Sequence, residues 1–128
     1  MMRWIFLAGS TFGFLGVAAG AFGAHALRET LEPRMLEVFG VAVRYQMLHA
    51  LALLATAWVS SQSPGRWAAW AGALFLIGIL LFSGSLYLIT LADLRWVGAV
   101  TPLGGVTLLA GWACLGLAGN RIPGRTVS

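Results

Sequence analysis

The chain has 128 residues, of which 59 % are hydrophobic and only 9 % are charged. Soluble domains carry about a quarter charged residues, so this composition excludes a protein surrounded by water and predicts an integral protein of the lipid bilayer. The net charge of +4 comes from eight arginines that are spread along the chain. Nucleic-acid binding needs a clustered basic stripe, and we therefore expect no nucleic-acid partner.

Four apolar stretches predict membrane-spanning helices, which need about 20 mainly apolar residues each. The first stretch resembles a secretory signal, with Arg3 before it and small residues near its end. Its apolar run is longer than the roughly 7–15 residues of such signals, so we assign it as a span. The predicted spans are residues 4–26, 45–60, 67–91 and 97–118, with Pro102 as an alternative start of the last.

The segment of residues 28–44 is unusually charged, because it holds three arginines and three of the four acidic residues. Pro33 is suited to the first turn of a helix. A helix from Pro33 to Ser60 would be about 42 Å long, which exceeds the hydrocarbon core of about 30 Å. We therefore expect an amphipathic segment that lies on or projects from the membrane surface and runs or bends into the second span.

Short polar stretches separate and follow the later spans. Residues 61–66 contain a Pro-Gly turn, and residues 92–95 carry two charges. Thr101 is predicted as the N-cap of the last helix, with Pro102 at its first position. Residues 120–128 are predicted to form a short disordered tail. The predicted fold class is all-α, a single domain that forms a compact four-transmembrane-helix bundle.

An even number of spans places both termini on one side of the membrane. That side carries four arginines and no acidic residue, whereas the opposite side carries four arginines and all four acids. The positive-inside rule counts basic residues and gives a tie. The unopposed arginines favour termini in the cytoplasm.

Five glycines follow one face of the first span, within an arc of about 80° at the helical spacing. Such a track of small residues allows the backbone of another helix to approach closely. We favour packing within the chain, with self-association as the second interpretation. The expected partners are therefore lipid and either a second copy of the chain or another membrane protein. The track consists of Gly9, Gly13, Gly16, Gly20 and Gly23.

Several segments together resemble one known family, the small bacterial inner-membrane proteins catalogued as domain of unknown function 423, to which small mitochondrial membrane proteins of animals are related. The resemblance implies a four-helix protein of the bacterial inner membrane, and it implies no established activity and no assigned functional residue. It covers nearly the whole chain, and it rests on residues 20–27, 45–51, 81–87, 101–105 and 111–112.

Polar side chains on the second and third spans are the candidate site, because polar groups inside a membrane are costly and are often functional. We expect them to line a polar pocket that could hold a ligand. A neutral imidazole bonded to another helix is the favoured interpretation of the histidine among them. The candidates are Tyr45, Gln46, His49, Ser83 and Tyr87.

His25 and His49 are weak candidates for metal or haem ligands. Metal sites need several converging ligands, but neither a His-x₃-His spacing nor an acid within a span is present. We therefore expect no metal and no cofactor. Trp112 lies in the middle of the last span, where its indole N–H needs a partner on another helix or a water molecule.

The sequence contains no pattern typical of an enzyme, such as a paired-carboxylate site or a nucleophile with its base, and we expect no catalysis. A structural or partner-binding role, as a scaffold or assembly protein, is the favoured interpretation. The alternative is an oligomeric transporter or channel, or a protein that binds lipid or another small ligand in a pocket around His49. Haem or metal binding ranks below both.

Overall fold

The computed structural model describes residues 2–124, and four long helices make up most of them. Each is long and apolar enough to cross a membrane, and the described residues contain no strand, which confirms the all-α four-helix membrane fold. Residues 125–128 of the predicted tail lie outside the described part. The helices are α1 (Arg3–Leu27), α2 (Pro33–Gln62), α3 (Arg66–Ala92) and α4 (Thr101–Gly119), and a 3₁₀ turn (Arg95–Ala99) precedes α4.

Helix α2 is continuous from Pro33 to Gln62, with the proline in its first turn. Its 30 residues correspond to about 45 Å, which is longer than the hydrocarbon core. Residues 33–44 of the charged segment predicted to lead into the second span are therefore the unbroken first part of α2, and they run into the span without a helix break. Residues 28–32 of that segment form the connection between α1 and α2. Helix α3 ends at Ala92, and the next residue, Asp93, adopts the left-handed conformation with φ of 54°.

The predicted N-cap role of Thr101 is wrong. Val100 already has helical backbone angles, because the 3₁₀ turn leads directly into α4, and Thr101 is the first residue of the helix rather than its cap. Its hydroxyl instead forms a hydrogen bond of 2.6 Å with Ser85 on α3. Pro102 lies in the first turn of α4, as expected.

The helices pack in chain order as a staggered row. Helix α1 packs on α2, α2 on α3 and α3 on α4, whereas the backbones of α1 and α4 do not approach each other in the described part of the chain. This order leaves two grooves on opposite faces of the row. One lies between α1 and α3 with α2 as its floor, and the other lies between α2 and α4 with α3 as its floor. The main core contains buried side chains from all four helices, among them Ile5, Leu53, Phe75 and Leu108.

Helices α3 and α4 approach each other closely at Gly104. A Cβ atom placed there would lie 2.8 Å from the Cα atom of Phe82, so the α3 backbone occupies the space that a side chain would need. Only glycine therefore fits this contact without a shift of one helix. The contact therefore sets how closely α4 packs against α3.

Polar side chains on the outer faces bond to their own helix, as hydrocarbon surroundings require. The hydroxyl groups of Ser10 and Thr11 donate to carbonyl oxygens one turn earlier, at 3.0 and 2.8 Å. Thr107 on α4 does the same at 2.8 Å. These groups thus face the lipid without an unpaired donor.

The two ends of the row differ in charge. Arg3, Arg66 and Arg121 are exposed at the end where the chain begins, and all four acids lie at the other end. Within residues 2–124 the single ion pair joins Arg95 to Asp93 at 3.1 Å, and both side chains are exposed. The cytoplasmic location of the termini stays a prediction.

Candidate functional site: two grooves on opposite faces

The five polar residues predicted to share one pocket lie in two separate grooves. Gln46, Ser83 and Tyr87 line the groove between α1 and α3, which we call the α1–α3 cleft. Tyr45 and His49 line the groove between α2 and α4, which we call the α2–α4 groove. The structure therefore assigns the predicted set to two places that open to the bilayer in different directions.

Gln46 on α2 is the centre of the polar floor of the α1–α3 cleft. Its side-chain amide donates to the carbonyl oxygen of Phe12 on α1 at 2.9 Å, and its amide oxygen accepts from the hydroxyl of Tyr87 on α3 at 2.6 Å. Ser83 donates to the carbonyl oxygen of Ala42 at 2.7 Å. These bonds join three helices, and they satisfy the polar groups inside the hydrocarbon.

The walls of the α1–α3 cleft are apolar, and the cleft has a volume of about 590 Å³. On α1 its lining runs from Phe12 to Leu27, and on α3 from Ile79 to Leu91. These lengths correspond to about 22 and 18 Å along the helices. The cleft therefore extends from near the middle of the bilayer to the end that carries the acidic residues.

Helix α1 is widened where it forms the wall of this cleft. Residues Ala19–Gly23 form a π-helical turn, and Ala19 and Gly23 both line the cleft. Single π turns inside α-helices are rare and frequently occur at functional sites. Gly23 also contacts α2, since a Cβ atom there would lie 3.1 Å from the ring of Phe39. The irregular part of α1 therefore coincides with the wall of the cleft.

His49 is buried and has a partner for each ring nitrogen. Its Nδ1 lies 2.7 Å from the carbonyl oxygen of Tyr45, and its Nε2 lies 3.0 Å from the indole Nε1 of Trp112. A carbonyl only accepts and an indole N–H only donates, so Nδ1 carries the proton and Nε2 accepts. His49 is therefore held as one neutral tautomer by two helices.

Neither nitrogen of His49 has a free lone pair for a metal ion in this arrangement. The other weak candidate, His25, is exposed in the last turn of α1, at the end of the row. Within residues 2–124 no group of three or more His, Cys, Asp or Glu side chains comes together.

The α2–α4 groove is aromatic. Tyr45 packs against Phe82 with ring centroids 4.6 Å apart and stacks on His49 at 6.1 Å. Trp112 meets His49 edge-on at 5.8 Å. The groove has a volume of about 390 Å³, and Gly105 forms part of its α4 wall.

The glycine track on α1 mainly faces α2 of the same chain. Cβ atoms at Gly9, Gly16, Gly20 and Gly23 would all contact side chains or backbone of α2, whereas a Cβ atom at Gly13 would have no neighbour within 4 Å. Four of the five glycines thus pack within the chain. Association through the track stays a prediction, and it now depends on Gly13.

Sequence reasoning did not find the walls of either groove. Leu80 and Gly84 in the cleft, and Phe82 in the α2–α4 groove, are ordinary apolar or small residues of a span, and no local signal distinguishes them. Trp112 did carry a signal, because its N–H needed a partner in the middle of the membrane. The sequence did not identify that partner as His49.

Comparisons with known proteins identify the family. The family model described as "Protein of unknown function (DUF423)" matches residues 19–105. A UPF0382 membrane protein of Staphylococcus saprophyticus is 40 % identical over 114 residues, which cover 89 % of this chain and 94 % of that protein. The UPF0382 inner membrane protein YgdD of Escherichia coli K12 is 37 % identical over 126 residues, which cover 98 % and 96 %. No solved structure matches the chain. The chain therefore belongs to the DUF423 family and is a multi-pass protein of the bacterial inner membrane.

Proposed function

We propose that this protein is a non-catalytic lipid-binding protein that holds a hydrocarbon chain in the α1–α3 cleft. This is the lipid-binding form of the alternative expected from the sequence, with the site moved from His49 to the cleft around Gln46. The observation that carries the proposal is a lateral, apolar cleft whose lining extends along the helices for at least the thickness of one leaflet.

The dimensions of the cleft suit a single lipid chain. Half of the hydrocarbon core is about 15 Å, and the linings on α1 and α3 extend about 18–22 Å. The volume of about 590 Å³ lies within the usual range of small-molecule sites. A lipid whose headgroup lies near Leu27 and Leu91, at the end of the cleft close to the acidic residues, would extend its acyl chain to the level of Phe12.

The polar floor supports an apolar occupant rather than a polar solute. The hydroxyl protons of Ser83 and Tyr87 are already donated to Ala42 and Gln46. A polar solute would have to compete with these bonds, whereas a hydrocarbon chain only fills the space beside them. The same bonds hold α1, α2 and α3 at the separation that forms the cleft.

Crosslinking with a photoactivatable lipid tests the proposal. Purified protein in nanodiscs would receive a trace of a phospholipid with a diazirine on one acyl chain, and mass spectrometry would locate the adducts after illumination. We expect adducts on the cleft walls, at Leu15, Leu80 and Leu91, well above those on Val106, which is exposed on α4 and lines neither groove. Equal labelling of the cleft and of Val106 would show ordinary surrounding lipid and would refute the proposal.

Two glycine substitutions give a matched control. Gly84 lines the cleft and Gly116 lies on the exposed side of α4, and a Cβ atom at either would have no neighbour within 4 Å. Gly84→Trp should fill the cleft and remove most labelling of Leu15, whereas Gly116→Trp should leave it unchanged. Native mass spectrometry of the two variants should show the same difference in bound lipid.

Partner binding, the role favoured from the sequence, is the second candidate. Arg28, Glu29, Glu32, Arg34, Glu37 and Arg44 are all exposed, and within residues 2–124 none of them forms an ion pair. Such a charged surface suits a polar partner at the membrane surface. Converting the three glutamates to glutamine should then remove crosslinks from the segment of residues 28–44 to a neighbouring protein in intact membranes without changing the amount of protein inserted. Unaltered crosslinks would contradict this role.

A further inference from the structure

The α2–α4 groove differs in chemistry from the α1–α3 cleft. From its geometry we infer that it is a second binding site, for a planar conjugated ring with a carbonyl oxygen, as in lipid-soluble quinones. The inference does not depend on the lipid proposed for the cleft, since the two openings lie on opposite faces and share no lining residue.

Aromatic walls favour a flat ring as the occupant. Tyr45, Phe82 and Trp112 surround the groove together with His49, and the Tyr45 and Phe82 rings are 4.6 Å apart at an angle of 35°. Aromatic rings attract one another in offset and edge-on arrangements at centroid distances of about 4.5–7 Å. In the α1–α3 cleft three of the fourteen lining residues carry rings, namely Phe12, Phe39 and Tyr87, whereas four of the eight lining residues of the α2–α4 groove do.

The groove offers one hydrogen-bond donor that the protein does not use. Within residues 2–124 no hydrogen bond joins the Tyr45 hydroxyl to another group, and the residue is 40 % exposed. The N–H of Trp112 and the Nδ1–H of His49 are both taken, as described above. A ligand oxygen in the groove that accepts from the Tyr45 hydroxyl would therefore gain a hydrogen bond without breaking one within the protein.

Space for the ring exists because of Gly105. A Cβ atom there would touch nothing closer than the Phe82 ring, at 3.9 Å, so a larger side chain would extend into the groove. The volume of about 390 Å³ is sufficient for a bicyclic ring with part of a tail. The groove therefore combines flat walls, open space and a single donor at its edge.

Two small probes separate ring binding from hydrogen bonding. Isothermal titration of the full chain in detergent, with detergent alone as the reference, would compare 1,4-naphthoquinone with naphthalene. We expect saturable binding of both, tighter for the quinone. Tyr45→Phe should weaken naphthoquinone about 3- to 10-fold, the usual range for one net hydrogen bond, and leave naphthalene unchanged.

A second pair of variants tests the location. Gly105→Phe should abolish saturable binding of both probes, whereas Gly116→Phe, outside both grooves, should bind them as the unmodified chain does. Should Gly105→Phe fail to fold, the Tyr45→Phe comparison decides alone. Equal naphthoquinone affinity in the unmodified chain and Tyr45→Phe, or equal weakening of both probes, would overturn the inference. A folded Gly105→Phe variant that binds naphthoquinone normally would also overturn it.

Discussion

The contact between Gly104 and α3 gives the sharpest prediction about stability. In Gly104→Ala the new Cβ atom would lie 2.8 Å from the Phe82 Cα atom, whereas carbon atoms prefer about 3.5–4.0 Å. A backbone atom cannot turn aside as a flexible side chain can. Helices α3 and α4 must therefore separate by a substantial fraction of an ångström, and the packing that Leu108 and Phe75 make in the core must change.

The magnitude follows from two opposing effects. Overpacking of a well-packed contact destabilises a protein by about 1–3 kcal/mol. Alanine in place of glycine within a helix stabilises it by about 0.5–1 kcal/mol when there is room. Gly116 has that room, because no atom lies within 4 Å of its Cβ position. We therefore expect Gly104→Ala to be less stable than Gly116→Ala by about 1.5–4 kcal/mol, the sum of the two effects.

Reversible unfolding in mixed micelles measures this difference. A denaturing detergent would be titrated into each variant, and the helical signal would be followed by circular dichroism. Gly104→Ala should unfold at a clearly lower fraction of denaturing detergent than both the unmodified chain and Gly116→Ala. A Gly104→Ala variant as stable as Gly116→Ala would refute the close α3–α4 contact and the position of α4 that depends on it.

Two further predictions concern α1 and the buried imidazole. Gly16→Leu should lower stability in the same detergent titration, because its side chain would collide with Met47 on α2. Gly13→Leu should leave the fold intact, because no atom lies within 4 Å of its Cβ position. It should reduce crosslinked dimers only if the glycine track mediates self-association. Trp112→Phe should destabilise the chain by about 0.5–2 kcal/mol, since His49 Nε2 loses its donor. In a His49→Leu background the same change should have little effect, and equal effects in both backgrounds would show that the bond contributes nothing.

Much of the fold follows from local properties of the sequence. The length and apolar character of four stretches specify membrane helices, because a helix that satisfies its own backbone is one of the few structures that hydrocarbon permits. Pro33 and the polar turn after Gln62 determine where α2 begins and ends. Thr101 shows the limit of such local rules. A 3₁₀ turn continues directly into α4, so Thr101 does not cap the helix, and its hydroxyl bonds to the Ser85 hydroxyl at 2.6 Å instead.

The grouping of the polar residues, by contrast, was decided by the tertiary structure. Gln46 and His49 are three positions apart on one helix, and from the sequence they form a single stripe. In the folded chain Gln46 bonds to α1 and α3, whereas His49 bonds to α4. The sequence determined that these side chains are polar groups within a membrane helix and need partners. Only the order and rotation of the packed helices decided which partner each one found, because those depend on contacts between residues far apart in the chain.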